Sequence, residues 1–164
     1  MKKIIFDCER MKYQDTGLFH YCLNLGKQLE KNFNLQDEQL FFYTPPGQQE
    51  WSYCSANHIT QNPLHKFVLP SLHSFDIWHA TYQNTQYMPM QNRKIKVVLS
   101  IHDLNFLYDE QKSAAKKQKY LRYLQNLIHR ADAIICISDF SKNDVLRHCK
   151  VDNKPLYVVH NGTN

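Results

Sequence analysis

Apolar residues along this chain gather into short runs, separated by polar stretches and by longer segments of helical period. The runs are Ile4 to Phe6, Leu40 to Tyr43, Lys66 to Leu69, Ser74 to His79, Val97 to Ile101, Ala133 to Ile137 and Leu156 to Val159. Their length and their β-branched and aromatic content predict strands. Leu18, Tyr21, Cys22, Leu25 and Leu29 recur at i, i+3, i+4, i+7 and i+11, which predicts a helix opening near Gly17. A second helix is predicted from about Ser113 to Arg130. Tyr120, Leu124, Leu127 and Ala131 form its apolar stripe, widened by Leu121 and Ile128. A third, capped by Ser138 or Ser141, turns Val145, Leu146 and Cys149 inward. The order β, α, β, β, β, β, α, β, α, β predicts an α/β fold, a Rossmann-like parallel sheet flanked by helices.

The segment KVVLSIHDLNFL, Lys96 to Leu107, is the predicted centre. Val97, Val98, Leu99 and Ile101 read as a strand buried on both faces, and it breaks off at His102 and Asp103. Ligands of open α/β sheets sit outside the carboxyl ends of the strands, so His102 and Asp103 are candidate site residues. The competing readings are a turn or cap role for Asp103 and an ordinary hydrogen-bonded loop histidine for His102. SFDIWH likewise ends in a histidine, His79, and the two imidazoles could face one crevice. No third ligand is placed beside them, and no metal site is predicted.

At the N-terminus, Asp7 closes the first run and the polar loop CERMKYQDT leads to Gly17. Asp15 or Thr16 is placed to cap the helix, and Gly17 to let the backbone turn. This arrangement offers backbone N–H groups to an anion such as a phosphate, although one glycine is equally compatible with a plain turn. Pro45-Pro46-Gly47 stops the second strand, and the Gln-, Ser- and Asn-rich residues up to Pro63, with Trp51 and Tyr53, predict an irregular surface connection.

Composition narrows the function classes. The 164 residues, 43% hydrophobic and 21% charged, suffice for one globular domain with a sizeable core. A net charge of +5 favours phosphate-bearing ligands or an anionic membrane surface. There is no arginine-rich block, RNP-type sequence or zinc finger, so nucleic acid is not an expected partner. Between Lys112 and Arg130 there is no acidic residue; Lys112, Lys116, Lys119 and Arg130 lie beside the apolar stripe, with Arg122 near. Such a helix can lie on an anionic membrane, the alternative being a packed helix with a solvated basic face. Cys8, Cys22, Cys54, Cys136 and Cys149 are odd in number and lack C-x-x-C spacing. They predict reduced thiols, packed as small apolar residues, in an intracellular protein. The apolar run after Lys2-Lys3 is too short for a signal peptide, and no run reaches membrane-spanning length. The expected location is cytoplasmic, or peripheral on the inner face of the membrane. Asn161-Gly162-Thr163 matches a glycosylation sequon, which has no meaning without secretion.

IIFDCERMKYQDTGLFHYCLNL, FDIWHATY, VVLSIHDLNFL, ADAIICISDFSKNDV and VVHNGTN follow one another along the chain. In that order they resemble the N-terminal half of GT-B glycosyltransferases of the large retaining, family 4-like group that includes bacterial mannosyl- and glucosyltransferases of polysaccharide biosynthesis. The resemblance implies that residues 1–164 form the acceptor-side domain of a two-domain hexosyltransferase, inactive without the C-terminal donor-binding domain that this chain lacks. It implies a sugar-nucleotide donor, a saccharide or lipid-linked acceptor, and no further cofactor. Carried over position by position, Gly17 sits in the loop that approaches the donor diphosphate, with Phe19 where the family often has a second glycine. His102 looks out at the donor sugar and Asp103 orients the loop. His79 and Ser138 stand at strand ends facing the same cleft. No catalytic residue is assigned, and no Asp-x-Asp pair is present to hold a divalent ion on a diphosphate. The competing class is a non-catalytic Rossmann-like binding module, held at a membrane surface by the basic helix.

Overall fold

The computed structural model describes residues 1–34, 36–48 and 57–162. The chain divides into two compact units, residues 1–81 with 85–96, and residues 82–84 with 97–164. Within each, every strand pairing is parallel. Parallel neighbours need long crossover connections, and the helices lie in them. The α/β, Rossmann-like class expected from the order of elements is the class observed.

The first unit holds β1 (Lys2–Asp7), α1 (Gly17–Asn32), β2 (Glu38–Thr44), β3 (Asn57–Thr60) and β4 (Ile77–Ala80), with strand order β3-β2-β1-β4. Side chains alternate across the sheet. Phe6, Leu40 and Phe42 pack with Phe19 and Cys22 of α1, and Ile4, Leu25 and Leu29 close the edge of that cluster. Ile5, Tyr43 and Trp78 are also fully buried, and the Tyr43 ring meets Trp78 at 5.1 Å and Tyr87 at 5.6 Å. Thr16 begins α1 by accepting the Phe19 N–H at 3.2 Å. Gly47 adopts φ +74° in the turn after Pro45-Pro46, a conformation that only glycine takes without strain.

The second unit holds β5 (Lys96–Ile101), α2 (Ala114–Arg130), β6 (Ala133–Cys136), α3 (Asp139–His148) and β7 (Leu156–Val158), with strand order β5-β6-β7. Val97, Leu99 and Ile101 are fully buried, as are Ile128, Ile134 and Val145. Ser113 and Ser138 cap α2 and α3 by accepting the N–H groups of Lys116 and Ser141. At the other end of α2, the Lys154 ammonium donates to the carbonyls of His129 and Ala131, placing a cation where the helix dipole is negative.

Several expectations change. Lys66 to Leu69 is not a strand. Asn62 accepts the Leu64 N–H at 2.9 Å and, with Pro63 following, winds a 3₁₀ turn over Pro63–Lys66, leaving Phe67 and Val68 exposed. The edge strand is instead polar Asn57–Thr60. The fourth strand starts at Ile77 because Asp76 is occupied in holding the start of β1, accepting the Lys3 N–H through its carboxylate at 2.8 Å. Leu146 points outward and is 54% exposed, whereas Val145 is buried. Arg130 is not part of a solvated basic face: it is 3% exposed and ion-paired to Asp132 at 3.2 Å. Cys8, Cys22 and Cys136 are buried free thiols, and burial pushes Cys22 up to about 12, which makes it a poor nucleophile. Trp51, Tyr53, Cys54 and Thr163 lie outside the described residues.

Replacing Leu99 by alanine at the centre of β5 is expected to lower unfolding free energy by about 2–5 kcal/mol, read from urea denaturation. A loss well under this range would mean that β5 is not part of a close-packed core.

Candidate functional site

A parallel strand that ends inside a protein leaves peptide groups without ladder partners, and these must find others. Where β5 ends, the His102 N–H donates to the Gln83 side-chain oxygen at 3.0 Å, and the Gln83 amide nitrogen donates to the Asp103 carbonyl at 3.0 Å. The Ser141 hydroxyl, at the start of α3, donates to the His102 carbonyl. Asp103 then accepts the Asn105 N–H through its carboxylate at 3.0 Å, which opens the 3₁₀ turn Asn105–Leu107. Further along, the Tyr108 hydroxyl donates to the buried Asp144 carboxylate at 2.6 Å.

This fixed loop forms one wall of a cavity of about 410 Å³. Tyr82, Phe106 and Tyr120 give it aromatic surface, with Phe106 and Tyr120 edge-to-face at 5.6 Å. Gln83, Asn84, Asn105 and Asp103 supply amide and carboxylate groups. Asp109 and Lys112 stand on its border as an ion pair, and the ammonium holds the Asp109 carboxyl below the usual carboxylate range. A concave site with aromatic walls and a few fixed polar groups is the usual form of a small-molecule site.

The other unit carries a buried acidic cluster where β1 ends. Asp7 accepts the Glu9 N–H at 2.9 Å and the Thr85 hydroxyl at 3.0 Å, while its carbonyl takes the Thr81 hydroxyl at 2.7 Å. Glu9 is also buried and accepts from the Gln86 N–H and the Lys12 ammonium, each at 3.2 Å. Burial, reinforced by the negative charge of Glu9, pushes the Asp7 carboxyl up to about 7.

The five residues singled out from sequence are thus distributed as follows. Asp103 lines the cavity. His102 is 7% exposed, held through its backbone on both sides, with its ring 6.2 Å from that of Tyr82. Ser138 is the cap of α3, and its hydroxyl lies 3.0 Å from that of Ser141. His79 does not end its strand, which runs on to Ala80; its ring is half-buried and edge-on to Phe6 at 5.4 Å. Gly17 is the exposed first residue of α1 with an ordinary backbone conformation, so it is not needed for the chain to turn there. A Cβ added to it would meet nothing within 4 Å. Among the described residues no group of three or more His, Cys, Asp or Glu side chains is arranged to hold a metal ion.

Sequence reasoning missed Gln83 and Glu9, and took Asp7 only as the end of a strand and Ser141 only as a candidate helix cap. The signal for Asp7 and Glu9 was available, as two acids flanking one residue at the end of a strand. For Gln83 there was none, because its partners lie about twenty residues away in sequence.

Residues 17–164 match the family model described as Glycosyltransferase Family 4. No curated protein matches the chain.

The Asp7 carboxyl binds its proton more tightly folded than unfolded, where its value is 3.8. Its contribution to stability is therefore constant below about pH 4, falls as pH rises from there to about 7, and is level above. Asp7→Asn, neutral and of the same shape, is expected to lose less stability than wild type between about pH 5 and about pH 8, read from urea midpoints. Equal losses in the two proteins would show that Asp7 is ionised throughout.

Proposed function

We propose that this chain, which belongs to Glycosyltransferase Family 4, is the acceptor-side part of an enzyme that moves a hexose from a sugar nucleotide to a saccharide or lipid-linked acceptor. The observation that carries the reading is the polar and aromatic cavity at the exit of β5, in a chain of this family.

Glycosyl transfer builds positive charge on the sugar while a diphosphate leaves. The enzyme must stabilise the leaving anion on one side and orient an acceptor hydroxyl on the other. Within the first unit, the start of α1 has chemistry suited to an anion. Its early N–H groups carry the positive end of the helix dipole, and exposed Gly17 leaves room for a diphosphate to approach. Within the second unit, the loop after β5 has chemistry suited to hydroxyl groups. Asp103 and the neighbouring amides accept and donate hydrogen bonds to the acceptor, while His102 faces the donor sugar. Ser138 and Ser141 hold the loop's carbonyl side, and His79 supports the end of β1 through Phe6. The reading includes a donor-binding domain, whose closure over the bound substrates excludes water that would hydrolyse the donor. Retention of configuration, and mannose or glucose as the transferred sugar, are expectations carried from the family resemblance.

A lipid-linked acceptor would be presented at the cytoplasmic face of a membrane. Lys116, Lys119 and Arg122 on α2 are exposed, in a helix without acidic residues, and suit an anionic surface. No described helix is long and apolar enough to cross a membrane.

Gly17→Ala tests the donor side. Alanine fits the space and is the better helix former, by about 1 kcal/mol, so stability should hold or rise. Transfer from a sugar nucleotide by the complete enzyme should nevertheless fall at least about tenfold. Unchanged transfer would remove Gly17 from the diphosphate site, and turnover by the 164-residue chain alone would remove the need for a second domain. For the membrane contact, sedimentation with phosphatidylglycerol vesicles should be lost in high salt and in a Lys116→Glu, Lys119→Glu, Arg122→Glu variant. Salt-resistant binding, or binding kept by the variant, would contradict it.

A further inference from the structure

The cavity at the exit of β5 has a charge balance that selects among acceptors. Its ionic groups are Asp103, Asp109 and Lys112, two carboxylates against one ammonium. Lys112 is already committed to Asp109. Lys117 is outside the lining but near enough to Asp109 to help hold that carboxyl down. An acceptor that carried phosphate or carboxylate into this space would find the one lining cation paired to Asp109 and would face the Asp103 carboxylate across a partly desolvated gap. The uncharged groups suit sugar rings. Tyr82, Phe106 and Tyr120 line it with aromatic surface suited to C–H groups, and the Asn84 and Asn105 amides match hydroxyls as both donors and acceptors.

The same unit keeps its positive charge elsewhere. A separate groove of about 660 Å³ between α2 and α3 is bordered by Arg122, Arg147 and Lys150, with His129 and His148, against a single acid, Asp152. More basic groups therefore border this groove than line the β5 cavity, whose lining holds one ammonium. Charge left unpaired on the wrong ligand discriminates more strongly than a small gain for the right one.

We infer that the β5 cavity accepts an uncharged saccharide, with Asp103 receiving hydroxyl hydrogen bonds, and that Asp103 with the Asp109–Lys112 pair excludes acceptors bearing phosphate or carboxylate on the bound sugar. The inference rests on the acceptor-side reading given above. A lipid-linked acceptor remains compatible, provided that its anionic linkage lies outside the cavity and only neutral sugar enters it.

The test is an amide-shift NMR titration of the 164-residue chain with maltose, cellobiose and mannobiose, and with glucose 6-phosphate and glucuronate. At least one neutral disaccharide is expected to shift the amides of Tyr82 to Asn84 and Asp103 to Phe106, at least about tenfold more tightly than either anionic sugar. Asp109→Asn frees the Lys112 ammonium without changing the shape of the wall, so it should narrow or reverse that ratio by strengthening glucose 6-phosphate binding. Asp103→Asn should also admit the anionic sugars while weakening the neutral ones. Anionic sugars that bind wild type as tightly as neutral ones would overturn the inference, as would a panel that leaves these amides unmoved at the highest soluble concentrations. Transfer by the complete enzyme to a phosphorylated sugar would overturn the selectivity alone. Neutral sugars bound here by a protein that uses no sugar nucleotide would overturn the transfer reading alone.

Discussion

One side-chain amide holds the end of β5. A strand buried on both faces gives up its ladder partners abruptly when it stops, and an unpaired buried peptide group costs about 1–3 kcal/mol. Gln83 meets two such groups at once, accepting from the His102 N–H and donating to the Asp103 carbonyl. Ser141 meets a third. The direction in which Asp103 leaves the strand follows from these bonds, and with it the 3₁₀ turn and the cavity wall. A glutamine suits this role because its donor and acceptor lie side by side in one plane, matching the adjacent N–H and C=O of a dipeptide.

That constraint decides which side chains of the loop reach the cavity. The His102 ring is nearly enclosed, whereas Asp103 is half-buried and lines the cavity. The histidine that is prominent in the sequence has both of its backbone groups engaged, and its neighbour Asp103 lies on the cavity wall. In the other unit the end of β1 is likewise closed by polar groups, but with a different result. Asp7 and Glu9 are buried side by side, and the carboxyl of Asp7 is displaced to near neutrality. Two strand ends have met the same requirement for paired peptide groups, one with a neutral amide and one with a titrating acid.

Much of the architecture was readable from apolar periodicity. The first, second, central and last strands and the three predicted helices lie close to where the pattern puts them, because the strands follow short apolar runs and the helices an apolar stripe. Errors fell where local chemistry outweighed that pattern. Asn62 and Pro63 wound a turn into an apolar run, and the edge strand Asn57–Thr60 has Ile59 as its single apolar residue, too little signal to detect. Arg130 looked like part of a basic face because its partner Asp132 lies just past the helix end. In the candidate site, Asp103 was legible as the polar residue after a buried strand. Gln83 was not, since a glutamine in a polar loop looks the same whether or not it bonds to residues distant in sequence.

The central claim is that the loop after β5 is a built wall, held by Gln83, rather than an ordinary mobile turn. Amide hydrogen exchange at His102, compared between wild type and Gln83→Leu, addresses it most directly, since leucine keeps the volume and removes both hydrogen bonds. The account predicts that exchange at His102 accelerates by about one to two orders of magnitude in the variant, the size of one lost buried hydrogen bond, while amides at the centre of β5 stay protected. Equal protection of His102 in the two proteins would contradict it.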